Sequence, residues 1–222
     1  MSGESIKFQN ISLVYGSDTN TTEVLKGIDF SINENEIVSV VGPSGSGKTS
    51  IIMLAAGLEK STSGSIFIHN QDITGLTESE LSLIRRRHIG IVFQSFYLIP
   101  NLTAKENVML SLEANKKYNM DDEAESLLEN FGLGHRLDHL PSELSGGEQQ
   151  RVAIARSLIN KPTIILADEP TGNLDEENSQ HMIDLLFNYT RGNKTSLVLV
   201  THDGDIAKQC DRIIEIRDGK IA

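Results

Sequence analysis

The residues of this chain that can do chemistry fall into a few short runs, the first being GPSGSGKT at 42–49. It follows the apolar run EIVSVV and precedes IIMLAAGL, so it reads as strand, glycine-rich loop and helix in succession. The spelling G-x-x-x-x-G-K-[ST] suits one task. Glycines let successive backbone N–H groups turn inward around phosphate oxygens, and the helix that follows aims its positive end at them. Gly42, Pro43, Ser44, Gly45, Ser46 and Gly47 would form the cradle, with Lys48 reaching the β- and γ-phosphates. The Thr49 hydroxyl can ligate Mg²⁺, and Ser50 follows it at the helix start. The pattern predicts nucleotide binding.

Two further apolar runs end in reactive side chains. TIILADEP at 163–170 closes on Asp168, placed to hold the nucleotide's Mg²⁺, and on Glu169, placed to accept a proton from an attacking water. SLVLVTH ends at His202, where the end of a parallel strand makes a γ-phosphate contact reasonable, since open α/β sheets bind ligands there. Gln94 follows the strand-like GIVF and offers both a carbonyl for a Mg²⁺ shell and an amide donor for water. The run SFYLIP at 95–100 has two readings, burial in the core or a docking surface for a partner helix.

A second glycine-rich helix start lies at LSGGEQQ, residues 144–150. Ser145 and Glu148 have the spacing of a capping box. That leaves Gly146 and Gly147 unexplained, because each glycine in a helical turn costs about 1 kcal/mol relative to alanine. Two of them imply that something must come close to the backbone.

The elements that must position these residues alternate. Strand-like segments fall at 6–15, 28–32, 37–42, 65–69, 89–93, 163–168, 196–201 and 212–217, several as continuous apolar runs suited to burial on both faces. Helical patterns fall at 48–57, 78–86, 103–116, 121–131, 146–160, 176–190 and 203–210. The expectation is an α/β fold with a mainly parallel sheet, an antiparallel β flank near the N-terminus and an inserted α-helical subdomain over 95–160. The dipeptide DG at 218–219 reads as a hairpin turn.

Composition bounds the partners. With 222 residues and 38% apolar content the chain can bury one large core. A net charge of -11 makes nucleic acid a poor partner, because phosphate-backbone binding needs a basic footprint, and the short RRRH at 85–88 reads as a solvated helix end. The single cysteine, Cys210, excludes an internal disulfide and reads as a small packed side chain in a reducing compartment. No run approaches the roughly 18 apolar residues of a membrane span, and the N-terminus has no signal pattern, so any link to a membrane goes through a partner.

Taken in order, GPSGSGKT, Gln94, LSGGE, ILADE, NLD at 173–175 and His202 resemble an ABC-type ATPase, the nucleotide-binding subunit of an ATP-binding-cassette transporter. VFQSFYLIPNLTAKENV and ADEPTGNLD are similar to the subfamily of lipoprotein-releasing, macrolide-export, cell-division and YbbA-like ATPases. The signature has Glu148 where the commonest form of the family has glutamine. The resemblance implies ATP and Mg²⁺, with Tyr15 stacking on adenine. It implies an ATP-induced head-to-tail homodimer, each ATP held between one copy's phosphate loop and the other's Ser145, Gly146, Gly147 and Glu148, with Asp175 linking the two sites. It also implies integral membrane permease subunits docking near Gln94 and residues 95–100, on the cytoplasmic face of the inner membrane. Export or extraction of a hydrophobic or lipid-anchored substrate is the expected role, and signalling through a membrane partner without cargo is the alternative. A chromosome-acting ATPase of this family would carry a long coiled coil between its two half-sites; here only residues 95–144 separate Gln94 from Ser145.

Overall fold

A computed structural model describes residues 3–17, 20–113 and 120–222. Two sheets share the core. The first is antiparallel and comprises β1 (Glu4–Ser17), β2 (Asn20–Asn33), β4 (Ser63–Ile68) and β5 (Gln71–Asp72), in the order β2-β1-β4-β5. The second runs β10-β9-β3-β8-β7-β6, from β3 (Ile37–Val41), β6 (Ile89–Phe93), β7 (Ile164–Asp168), β8 (Ser196–Val200), β9 (Arg212–Arg217) and β10 (Lys220–Ile221). All its pairings are parallel except β9 with β10. The DG turn forms as expected, with Asp218 and Gly219 both at positive φ, the pattern of a tight hairpin.

The inner strands of the second sheet are buried along their length, β8 at every position, which is why they read as unbroken apolar runs. One face packs against the antiparallel sheet, α1 (Lys48–Ala55) and α2 (Glu78–His88), around Ile52, Leu54, Leu166 and Val198. The opposite face packs against α6 (Glu176–Asn193) and the second half of α5 (Gly146–Leu158), around Ile154, Ile183, Leu186 and Leu199. Between β6 and β7 the described residues hold α3 (Ala104–Glu113), α4 (Met120–Asn130), two short 3₁₀ turns and α5, and no strand. Val108, Leu112, Leu128, Val152 and Ala155 close a third cluster there. The expected helix 103–116 matches α3 to residue 113; its last residues, 114–116, lie outside the described residues.

Three local features went beyond the sequence reading. β2 starts at Asn20, well before the expected 28, because the polar run NTTE pairs with Val14–Ser17 as the end of a long hairpin. In RRRH, Arg85 is not purely solvated: it pairs with Glu78 and donates to the Gly57 carbonyl at 3.0 Å. Cys210 is half-buried beside Ile206, and burial pushes its thiol up to about 11, so it is a packed and inert side chain.

Candidate active site

The carboxyl ends of β3, β6, β7 and β8 lie side by side in the second sheet, and the chemistry-bearing residues leave from them. From β3 the chain enters the phosphate loop. Gly47 is the N-cap of α1 at φ 101°, where a Cβ would come within 2.7 Å of Leu25. At Gly42 a Cβ would lie 2.1 Å from the Ile216 carbonyl oxygen, so the loop is seated directly on β9 and β2. No side chain caps the first turn of α1, which leaves its N–H groups free to face an anion. Lys48 is 8% exposed and donates from Nζ to the carbonyls of Gly42 and Pro43 at 2.9 and 3.0 Å. The Ser46 hydroxyl is buried with no hydrogen-bond partner among the described residues. A cradle whose ammonium bonds loop carbonyls and whose buried hydroxyl is left unpaired fits a polyphosphate.

A cavity of about 700 Å³ and a neighbouring one of about 520 Å³ share Glu169 and His202. The smaller is lined by Tyr15, Gly42, Ser44, Gly45, Lys48, Thr49 and Ser50, so the phosphate loop and Tyr15 share one cavity. Tyr15 is 45% exposed, and its hydroxyl donates to the Glu59 carboxylate, which fixes the ring's edge while leaving the ring open. Asp168 ends β7 and is hydrogen-bonded to Thr49. Burial raises its pKa, the neighbouring Glu169 adds to that, and Thr49 and Lys48 oppose it. A carboxylate so disfavoured as an anion is suited to a divalent cation.

Glu169 sits at φ 45°, a strained position for a residue with a side chain. Its N–H donates to Val200 O at 3.0 Å and its carbonyl accepts from Gly172 N at 3.0 Å, which hold the turn. His202 Nδ1 lies 3.1 Å from Glu169 Oε2. Because an ionised carboxylate can only accept, Nδ1 is the donor in this pair. Gln94 does not line the phosphate-loop cavity; its side chain lies against Gly172, where a Cβ would be 2.8 Å from Nε2. Asn173 donates to the Gln94 carbonyl at 3.0 Å.

The second glycine-rich start behaves differently from the first. Ser145 caps α5, its hydroxyl accepting from Glu148 N at 3.3 Å, while Glu148 Oε2 accepts from Ser145 N at 2.8 Å. Gly146 is the first residue of the helix, and a Cβ there would meet only Phe96 Cζ, at 3.9 Å. At Gly147 the nearest atom would be Asn178 Oδ1 at 3.4 Å. Neither glycine has positive φ. Asp175 caps α6 and accepts from Asn178 N and Nδ2 at 2.9 and 2.7 Å, and because Asn178 is the residue beside Gly147, the NLD turn lies next to the signature within one copy.

Several residues that the sequence reading passed over tie these parts together. Glu148 Oε1 accepts from Arg136 Nε at 2.8 Å. Burial opposes ionisation of Glu148, but its hydrogen bonds to Ser145 and Arg136 outweigh this and hold its pKa at about 2. The fully buried Gln150 donates to Pro170 O at 2.6 Å, and Arg156 donates to Tyr97 O and Phe96 O at 2.6 and 2.9 Å. The one available signal was Glu148 itself, since a carboxylate in place of an amide calls for a cation. In SFYLIP, Tyr97 is 66% and Ile99 42% exposed, so core burial fails for both; Leu98 alone packs inward, against the helical cluster. Tyr97 is also at positive φ, an uncommon place for a bulky residue.

Among the described residues no helix is long and apolar enough to cross a membrane. Comparison with known proteins places the chain. Residues 25–172 match the family model described as ABC transporter. The chain is 45% identical over 221 residues to the lipoprotein-releasing system ATP-binding protein LolD of Hydrogenovibrio crunogenus, covering 99% of this chain and 96% of that protein. It is 42% identical to LolD of Psychrobacter arcticus over 96% of each. Among solved structures it superposes on the ATP-binding cassette MJ0796, in its dimeric post-hydrolysis state with ADP and Pi, with a TM-score of 0.91, 40% identity and coverage of 97% and 96%. The motifs, the two-sheet fold and these likenesses agree: the chain belongs to the ABC transporter family and is an ATPase.

Proposed function

We propose that this ATPase drives a membrane complex that releases or exports a lipid-anchored substrate, by closing two copies head to tail around two ATP molecules. The observation that carries the reading is the pair Gly146 and Gly147. Nothing among the described residues crowds them and neither needs glycine's backbone freedom, so their lack of side chains serves a visitor from outside the chain. A lysine-free helix start with exposed N–H groups, in a chain that already has a complete phosphate loop, suits the γ-phosphate of an ATP held by the other copy. MJ0796, also solved as a dimeric cassette, supports the two-copy arrangement.

In this reading Tyr15 carries the adenine, and residues 42–50 hold the phosphates. Thr49 and Asp168 would hold Mg²⁺, which supplies charge neutralisation on the β- and γ-phosphates, and Gln94 would join them only by turning away from Gly172. Glu169 accepts the proton of the attacking water, and His202, 3.1 Å from Glu169 through Nδ1, would meet the γ-phosphate with a ring N–H as donor. Asp175 and the NLD turn line the contact between copies. The catalytic core would comprise 1–94 and 161–222, and the helical part 95–160 would carry the signature. Exposed Tyr97 and Ile99 support docking of permease subunits beside Gln94, at the cytoplasmic face of the inner membrane. The LolD proteins are named for lipoprotein release, which favours extraction over a purely regulatory role.

Glu169→Gln tests this. The variant keeps the phosphate loop but loses the proton acceptor, so it should bind ATP, hydrolyse it at least a hundredfold more slowly and elute as a dimer with ATP. A monomer under saturating ATP and Mg²⁺ would sink the two-copy reading.

A further inference from the structure

Glu148 poses an electrostatic problem. It is the third residue of α5, so its carboxylate lies within one helical turn, about 5 Å, of the N–H groups at the helix start. If those groups receive a phosphate, a carboxylate beside them repels it. The side chain is only 12% exposed, so water screens it poorly. A glutamine would avoid the repulsion, and the commonest form of the signature has one.

The same carboxylate meets Arg136. Oε2 accepts from Ser145 N at 2.8 Å and Oε1 from Arg136 Nε at 2.8 Å, so each oxygen has a donor. The guanidinium is not a loose surface group. Its NH1 lies 3.1 Å from His139 Nε2, which orients the plane. Its backbone belongs to the 3₁₀ turn Gly134–Arg136, where Arg136 N donates to Leu133 O at 2.8 Å and His139 N donates to Arg136 O at 3.0 Å. Lys105 N and Ala104 N at the start of α3 donate to the carbonyls of Leu137 and His139, and Leu133 is fully buried. The cation is thus delivered from a fixed support.

We infer that Arg136 is a positioning residue of the signature helix, cancelling the charge of Glu148 so that a phosphate can approach Ser145–Gly147. This rests on the reading that those residues face the ATP of a second copy. It goes further by naming the group that makes an acidic signature compatible with an anionic ligand. Arg136 touches neither nucleotide nor reacting atoms; it acts through Glu148.

The test uses ATP-induced dimerisation of the full chain in the Glu169→Gln background, followed by sedimentation at several protein concentrations. Arg136→Ala should weaken dimerisation about tenfold or more at low salt, because it leaves Glu148 as an unpaired anion. Raising the salt from 50 to 500 mM should narrow that difference. Adding Glu148→Gln to Arg136→Ala should recover most of the loss, although it removes a second native contact, and Arg136→Lys should stay near the parent. A thermal melt of each variant confirms that it is folded. If Arg136 merely props up the loop, the double variant will be no better than Arg136→Ala, and the inference fails. It also fails if Arg136→Ala dimerises like its parent. Failure of the parent itself to dimerise removes the two-copy reading and this inference with it, whereas failure of the rescue alone removes only the role given to Arg136.

Discussion

Gly146→Ala should make the protein more stable and less active. The substitution adds one methyl group at the first position of α5, whose φ is not in the left-handed region, so alanine adopts the same backbone. The new Cβ meets a single ring carbon at 3.9 Å, an ordinary contact. Alanine is favoured over glycine by roughly 0.5–1 kcal/mol in a helix, and the first turn should realise the lower end, about 0.5 kcal/mol. For a chain of this size that corresponds to a rise in Tm of about 1–2 °C. In the proposed two-copy site the same methyl would lie beside the N–H groups offered to the second copy's phosphate, and a loss of about 1.4 kcal/mol there would lower turnover about tenfold. Differential scanning fluorimetry and steady-state phosphate release, on the same preparation, read the two effects. A variant that is both more stable and fully active refutes the close approach. A variant that is less stable refutes the local packing account, because it would mean that the chain itself needs the glycine.

Lys48→Ala should lose ATP affinity at least a hundredfold in a fluorescent-nucleotide titration. It should cost only about 1 kcal/mol in urea unfolding, since in the chain alone the ammonium bonds just two loop carbonyls. The Glu148 contacts predict acid sensitivity. A carboxylate with a folded pKa near 2 contributes its full stabilisation above its unfolded value near 4.5 and loses it as the pH falls from about 4.5 to 2. Chemical denaturation across that window should show a shallower decline for Glu148→Gln than for the native chain, and parallel curves would contradict the pairing with Arg136.

What could be read ahead of the structure was whatever one segment specifies alone. The unbroken apolar runs at 37–41, 164–168 and 196–200 became inner parallel strands because burial on both faces leaves no room for polar alternation. The phosphate loop was legible because its glycines, lysine and threonine lie within eight residues. The capping box of Ser145 and Glu148 was legible for the same reason. Contacts between distant segments were not. Arg136 reaching Glu148, Gln150 reaching Pro170 and Arg156 reaching the 96–97 carbonyls depend on how α5 lies against three loops, which no periodicity encodes. Gln94 shows the other limit: its residue type and its place after a strand were legible, but its resting place against Gly172 comes from tertiary packing. The polar NTTE fell outside the expected strands because a two-stranded ribbon can carry polar side chains on both faces at its tip.

Arg156 grips the 96–97 carbonyls ten residues along α5 from Gly146, about 15 Å by the rise of a helix. The helix between them has fully buried side chains on Val152, Ile154 and Ala155, so it moves as a stiff lever rather than a string. With its pivot near Arg156, a tilt of only about 4° carries Gly146 through about 1 Å. Misplacement on that scale can change a rate by two orders of magnitude. If Gly146 faces a second copy's ATP and Tyr97 a membrane partner, as proposed, a displacement at Tyr97 on this scale would be felt in the rate of hydrolysis.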